Sequence, residues 1–171
     1  MRTRRNSKII FINLFVWILF LSPATKLDLF KENYSTLSLH TKGYLFLFFL
    51  GIMTGLLMGY ETCKISGKRN GLLMFLCLVL GTCIPHEVPY HLRGNLHLLF
   101  AYAGGFGMSA ITLFNLYRRF DKRLQDLYVF LLFLCFLLYL RFMMVNTLIE
   151  ILLMSASLFC NCVSFFRISD R

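Results

Sequence analysis

Charge is in short supply in this chain. Only 15% of its 171 residues are Asp, Glu, Lys or Arg, while 58% are hydrophobic and 16% aromatic. A soluble domain of this size has too much surface for its volume to hide that much apolar side chain, so a water-soluble globule is excluded. In a bilayer the lipid becomes the solvent for those faces. Acidic residues are the scarcer sign, eight against 18 Lys and Arg, for a net charge of +10. The basic residues lie in short clusters between apolar runs. They do not form the continuous footprint that nucleic acid requires, so nucleic acid is excluded as a partner. The same clusters suit the positive-inside bias of membrane proteins. The sequence also lacks an internal repeat of the transporter kind, heptads and low-complexity segments.

Prolines number three, and two of them, Pro85 and Pro89, fall in one polar stretch. Six cysteines are present, Cys63, Cys77, Cys83, Cys135, Cys160 and Cys162. Most lie inside apolar runs, where cysteine acts as a small hydrophobe, and they do not form a disulfide framework. Cys160 and Cys162 are two apart, which places them on different faces of a helix and is not a metal spacing.

What remains is a series of apolar runs of membrane-spanning length. The spans expected are 9–25, 43–60, 71–84, 95–117, 127–144 and 148–166, with a hairpin tip at 144–147. The first could instead be a signal peptide, with a basic start, an apolar region from Ile9 to Leu21, and Ser22-Pro23-Ala24 as a cleavage site. Its near-spanning length and bulky residues favour a retained anchor. A short interfacial helix is expected around Leu27 to Glu32, and Asn33-Tyr34-Ser35 is a glycosylation sequon. Lys and Arg concentrate at the N-terminus, in the loops Glu61 to Asn70 and Arg118 to Asp126, and in the tail. The expected fold is therefore all-α: a polytopic transmembrane helical bundle, one integral membrane domain over 1–171, with six spans and cytoplasmic ends.

Two spans carry small-residue stripes. Gly51, Gly55 and Gly59 recur every four residues in the second, and Ala101, Gly105 and Ser109 do so in the fourth. Such stripes let backbones approach closely. They predict that the second and fourth spans form the tightest contact of the bundle.

The remaining polar groups converge on the outer side. His86, Glu87, His91, Arg93, Asn95 and His97 lead into the fourth span, and His40 lies on the same side. Arg141 and Glu150 flank the hairpin tip at equal distance, which lets them either form an ion pair or snorkel separately to the interface. This outer cap is the candidate ligand-binding surface. The function expected is a non-enzymatic multi-pass protein of the cell membrane, binding lipid or a protein partner, with no catalytic residue and no cofactor. Its partners are membrane lipids and either another membrane protein or a second copy of the chain. An alternative is a metal-dependent hydrolase of lipid, in which His86, His91 and His97 would hold zinc beside Glu87 as base, although their spacing matches no zinc motif. A second alternative is a small transporter or a subunit of a larger membrane complex, with Glu61 and Arg141 as its intramembrane charges.

The stretch Asn95-Leu96-His97-Leu98-Leu99-Phe100-Ala101, followed by Tyr102-Ala103-Gly104-Gly105-Phe106, resembles the corresponding region of the DRAM-like family of six-span membrane proteins. The resemblance implies a non-enzymatic protein tied to lipid or membrane homeostasis. It singles out His97 with its neighbours Asn95 and Ala101.

Overall fold

The computed structural model describes residues 2–39, 41–85, 92–118 and 122–169. The chain folds into six α-helices: α1 (Arg2–Leu21), α2 (Thr41–Ser66), α3 (Lys68–Cys83), α4 (Leu92–Arg118), α5 (Lys122–Phe142) and α6 (Thr147–Ser169). Five stretches are long and apolar enough to cross a membrane: Ser7–Lys26, Thr41–Ser66, Leu92–Arg118, Lys122–Phe142 and Thr147–Ile168. They make the chain a multi-pass integral membrane protein. At 16 residues α3 is shorter, about 24 Å along its axis at 1.5 Å per residue.

Helix boundaries follow local chemistry. Pro23 near the start of a 3-10 turn, Ser22–Lys26, ends α1. The expected basic loop from Glu61 to Asn70 is helical on both sides of a single break at Gly67, whose φ of +105° is open to glycine and strained for other residues. α2 therefore runs on through Glu61 to Ser66. The interfacial helix expected around Leu27 to Glu32 does not form. That segment is a turn in which the Asp28 carbonyl accepts the N–H groups of Lys31 and Glu32, and a 3-10 helix forms instead at Tyr34–Leu39. The chain reverses between α5 and α6 at Met143, at a φ of 54°.

The predicted pairing of the second and fourth spans is not what the bundle contains. The glycine stripe of α2 faces α3. A β-carbon on Gly51 would strike Thr82, one on Gly55 would lie 3.1 Å from Phe75, and one on Gly59 would lie 3.0 Å from the Gly71 carbonyl oxygen. The single-residue connection at Gly67 explains this. It folds α3 straight back along α2, so α3 takes the glycine face before α4 can reach it. The far side of α3 then receives α4. Gly104 and Gly107 pack on Cys77, and Gly81 lies against Ala101. Gly105 looks across to Leu153 of α6 at 3.9 Å, and the Ser109 hydroxyl donates to the Gly105 carbonyl of its own helix at 2.8 Å.

The main apolar core joins Val16, Leu57, Met58, Met74, Leu78, Met108 and Leu158, from α1, α2, α3, α4 and α6. A second cluster, with Leu116, Leu124, Tyr128, Ala156 and Cys160, holds α5 to α4 and α6. α5 is the most peripheral helix, and Phe130, Phe133 and Phe136 are exposed on it. In a bilayer such a face meets lipid tails at no cost. All six cysteines are free thiols.

Candidate functional site

At the end of the bundle that the charge pattern of the sequence assigns to the outside, and which is called the outer end on that ground, the connection between α1 and α2 folds back over the bundle. Its backbone is tied to the start of α6: Thr147 and Leu148 donate their N–H groups to the carbonyls of Glu32 and Leu29, at 2.7 and 3.1 Å. The Thr147 hydroxyl also donates to the Glu32 carbonyl at 2.9 Å, and Asn146 Nδ2 reaches the Phe30 carbonyl at 3.4 Å. The first-turn N–H groups of a helix have no partner within it, and a loop that supplies carbonyls there stabilises both elements.

The adjacent residues Tyr34 and Ser35 then join two distant helices. The Tyr34 N–H donates to Glu150 Oε2 at 2.6 Å, and the Ser35 hydroxyl lies 2.8 Å from His97 Nε2. The other ring nitrogen of His97, Nδ1, lies 2.6 Å from the Ile84 carbonyl, so it is the protonated one, and the tautomer leaves Nε2 to the serine. Burial, and then the neighbouring Glu150 carboxylate, push the Tyr34 phenol above its usual range. It stays a donor, to the Phe20 carbonyl.

Two of the residues singled out in the sequence, His97 and Glu150, thus meet the same dipeptide. Arg141 does not join them. Of the two arrangements open to Arg141 and Glu150, the ion pair is absent: Arg141 is exposed at the end of α5, its guanidinium 6.0 Å from the Phe142 ring, while Glu150 in the first turn of α6 is turned inward to the Tyr34 N–H. Arg93 and Asn95 are exposed on the first turn of α4. His86, Glu87, His91 and His40 lie outside the described residues. Both nitrogens of His97 make hydrogen bonds, to the Ile84 carbonyl and to Ser35.

Toward the opposite end lies a second polar group, which sequence reasoning missed apart from Glu61. Asn13 Nδ2 of α1 donates to Glu61 Oε1 of α2 at 2.7 Å, and Glu61 is fully buried. Beside it, Asn115 Nδ2 of α4 donates to Thr62 Oγ1 at 3.1 Å and to Asn161 Oδ1 of α6 at 2.8 Å. Asn161 Nδ2 continues to Thr112 Oγ1 and to the Ser157 carbonyl, both at 3.0 Å. The Ser157 hydroxyl reaches the phenol of Tyr128 on α5 at 2.8 Å. A band of hydrogen bonds therefore crosses the apolar interior and includes α1, α2, α4, α5 and α6. The signal in the sequence was an asparagine inside each of three apolar runs. An unsatisfied amide in hydrocarbon costs several kcal/mol, so such residues find one another.

Comparisons with family models, characterised proteins and solved structures return no match to this chain. Two polar groups stand out in the bundle, one toward each end. The inner one is buried. The outer one lies where the α1–α2 connection meets α4 and α6.

Proposed function

We propose that the chain is a non-enzymatic, six-span protein of the cell membrane, with both ends in the cytoplasm, whose outer face binds the acidic headgroup of a membrane lipid. The observation that carries this reading is how charge is sorted on that face. Its described acidic groups are used internally. Glu150 accepts from Tyr34, Glu32 accepts the Asp28 N–H at 2.6 Å, and Asp28 accepts the Phe30 N–H at 3.0 Å while pairing with Lys31 at 3.8 Å. The cations Lys26, Lys42, Arg93 and Arg141 are exposed on the same side, with Lys31. A Lys or Arg near a membrane surface attracts anionic lipid, by about 1 kcal/mol where the leaflet is as rich in it as the cytoplasmic one. The latched connection carries Lys26 and Lys31, and helix ends carry Lys42, Arg93 and Arg141, so the backbone beneath these cations is fixed, which lowers the ordering cost of binding. The likeness of the Asn95 to Ala101 stretch to the DRAM-like family supports a lipid-linked role.

Native mass spectrometry of the protein, released gently from membranes, tests this. Co-purified acidic lipid is expected, and its occupancy should fall when Arg93 and Arg141 are both replaced by Gln. Three results would overturn the reading: no acidic lipid, a partner subunit in its place, or a stoichiometric metal mass lost in chelator.

A further inference from the structure

The buried pair Asn13–Glu61 contains an imbalance of hydrogen-bond donors. Asn13 Nδ2 has two protons and both are used, one on the Ile9 carbonyl at 3.1 Å and one on Glu61 Oε1 at 2.7 Å. This fixes the orientation of the amide, since the flipped form would set oxygen against two acceptors. The remaining atoms of the pair, Asn13 Oδ1 and Glu61 Oε2, are both buried and both without a partner. Asn115 Oδ1 and Ser164 Oγ are also buried without a partner. The two unpartnered atoms of the pair are acceptors as drawn. They belong to two groups already joined along their other edge.

We infer that Glu61 is a proton-binding site: its Oε2 carries a proton and donates it to Asn13 Oδ1, closing a two-point ring of carboxylic acid and carboxamide between α1 and α2. One proton satisfies both unpartnered atoms. No other single change does so, because a carboxylate has only acceptors and a carboxylic acid has one donor. Neutralising the group also removes the cost of a buried, singly bonded charge within the membrane. Proton release is the plain reverse: Glu61 becomes a carboxylate and the proton passes to water at the adjacent end of α2, five residues away at Ser66. Two acceptor oxygens then oppose each other across the α1–α2 contact, so the docking of α1 depends on whether the site is occupied.

The titratable groups around it do not offer a substitute for the proton. Cys162 of α6 is within electrostatic reach of Glu61 and is a weak donor. The cations of the neighbouring elements, Lys8 of α1, Lys64 of α2, Lys68 and Arg69 of α3, Arg118 of α4 and Arg167 of α6, are exposed. This inference is independent of lipid binding at the outer face and can fail or stand without it.

The test uses the full chain in lipid bilayers near neutral pH. Solid-state NMR on unsubstituted protein, with carbon-13 glutamate and nitrogen-15 asparagine, identifies the Glu61 carboxyl by its coupling to the Asn13 amide. The expected chemical shift is that of a protonated acid; a carboxylate shift overturns the proposal. Dicyclohexylcarbodiimide, which modifies protonated carboxyls in apolar surroundings, should label the peptide containing Glu61. That label should be lost in Glu61→Gln, whose amide can still close the ring with Asn13 and so should keep the wild-type melting temperature. No label on the wild-type peptide, or protection by sodium ion at constant pH, overturns the proton assignment, the second outcome in favour of a metal cation.

Discussion

Tyr34 lies flat on Phe20, with ring centroids 4.7 Å apart and planes within 5° of parallel, and its hydroxyl donates to the carbonyl of that same Phe20 at 2.5 Å. One side chain of the outer connection therefore secures the end of α1, while its backbone N–H secures α6 through Glu150. Both rings are buried, in a cluster with Leu50 of α2.

Tyr34→Phe should keep the stack and lose the hydroxyl bond, at about 1 kcal/mol, whereas Tyr34→Ala should cost about 3–5 kcal/mol. Reversible unfolding in detergent micelles measures both. The pH dependence has a definite sign. The folded phenol is held above its ordinary value, so its contribution is complete below about pH 10, where an unfolded tyrosine titrates, and declines as pH rises above that. The Tyr34→Phe variant should lack this alkaline component. An identical decline in both proteins would refute the assignment.

Glu150→Ala should destabilise the fold by about 1–3 kcal/mol, because it leaves the buried Tyr34 N–H unpaired. Arg141→Ala should change stability by less than about 0.5 kcal/mol, as expected for an exposed side chain. An ion pair between them would instead make the two variants similar and non-additive, so a double-mutant cycle distinguishes the two arrangements.

The α2–α3 contact predicts a sharp contrast between glycines. A β-carbon on Gly71 would collide with Cys63 Sγ and sit 2.6 Å from the Gly59 carbonyl oxygen, and both neighbours lie on a helix that cannot retreat. Gly71→Ala should cost about 1–3 kcal/mol. Gly105→Ala meets nothing nearer than 3.9 Å and should be close to neutral. Thermal unfolding of the two variants side by side tests the packing order, and equal losses would count against it.

In the inner band, Asn115 and Asn161 should show coupling. Interhelical hydrogen bonds in membrane proteins contribute about 0.6 kcal/mol on average and up to about 1.7. These two asparagines share a bond and both bond onward, so a double-mutant cycle with leucine should give a value in the upper part of that range. A coupling near zero would mean that the band is not cooperative.

Much of the fold was legible because apolar length is a strong signal in a membrane protein. The runs ending at Pro85 and turning near Met144 could be counted without tertiary information. The end of α2 could not. Glu61 reads as a span boundary, since a charge inside hydrocarbon is costly, but Asn13, 48 positions away, gives it a partner and lets the helix continue. The partner of the glycine stripe was misassigned for a related reason. A stripe specifies that a backbone comes close without specifying which one, and the tightness of the Gly67 turn decided between α3 and α4. At the outer face, His97 and Glu150 stood out by residue type. Their common partner did not, because a backbone N–H and a serine hydroxyl leave no mark in a sequence.

The bond between Tyr34 and Glu150 also sets an order in time. These residues are 116 positions apart, so as the chain is synthesised the outer connection can settle on Phe20 of α1 and His97 of α4 but cannot close on α6 until the last helix has emerged. The connection contains the sequon Asn33-Tyr34-Ser35. In the folded chain the Asn33 side-chain oxygen holds the Thr36 N–H at 3.1 Å and the Ser35 hydroxyl faces His97. Where the chain passes through a glycosylating compartment, a sugar on Asn33 would mark chains in which the connection had not yet closed.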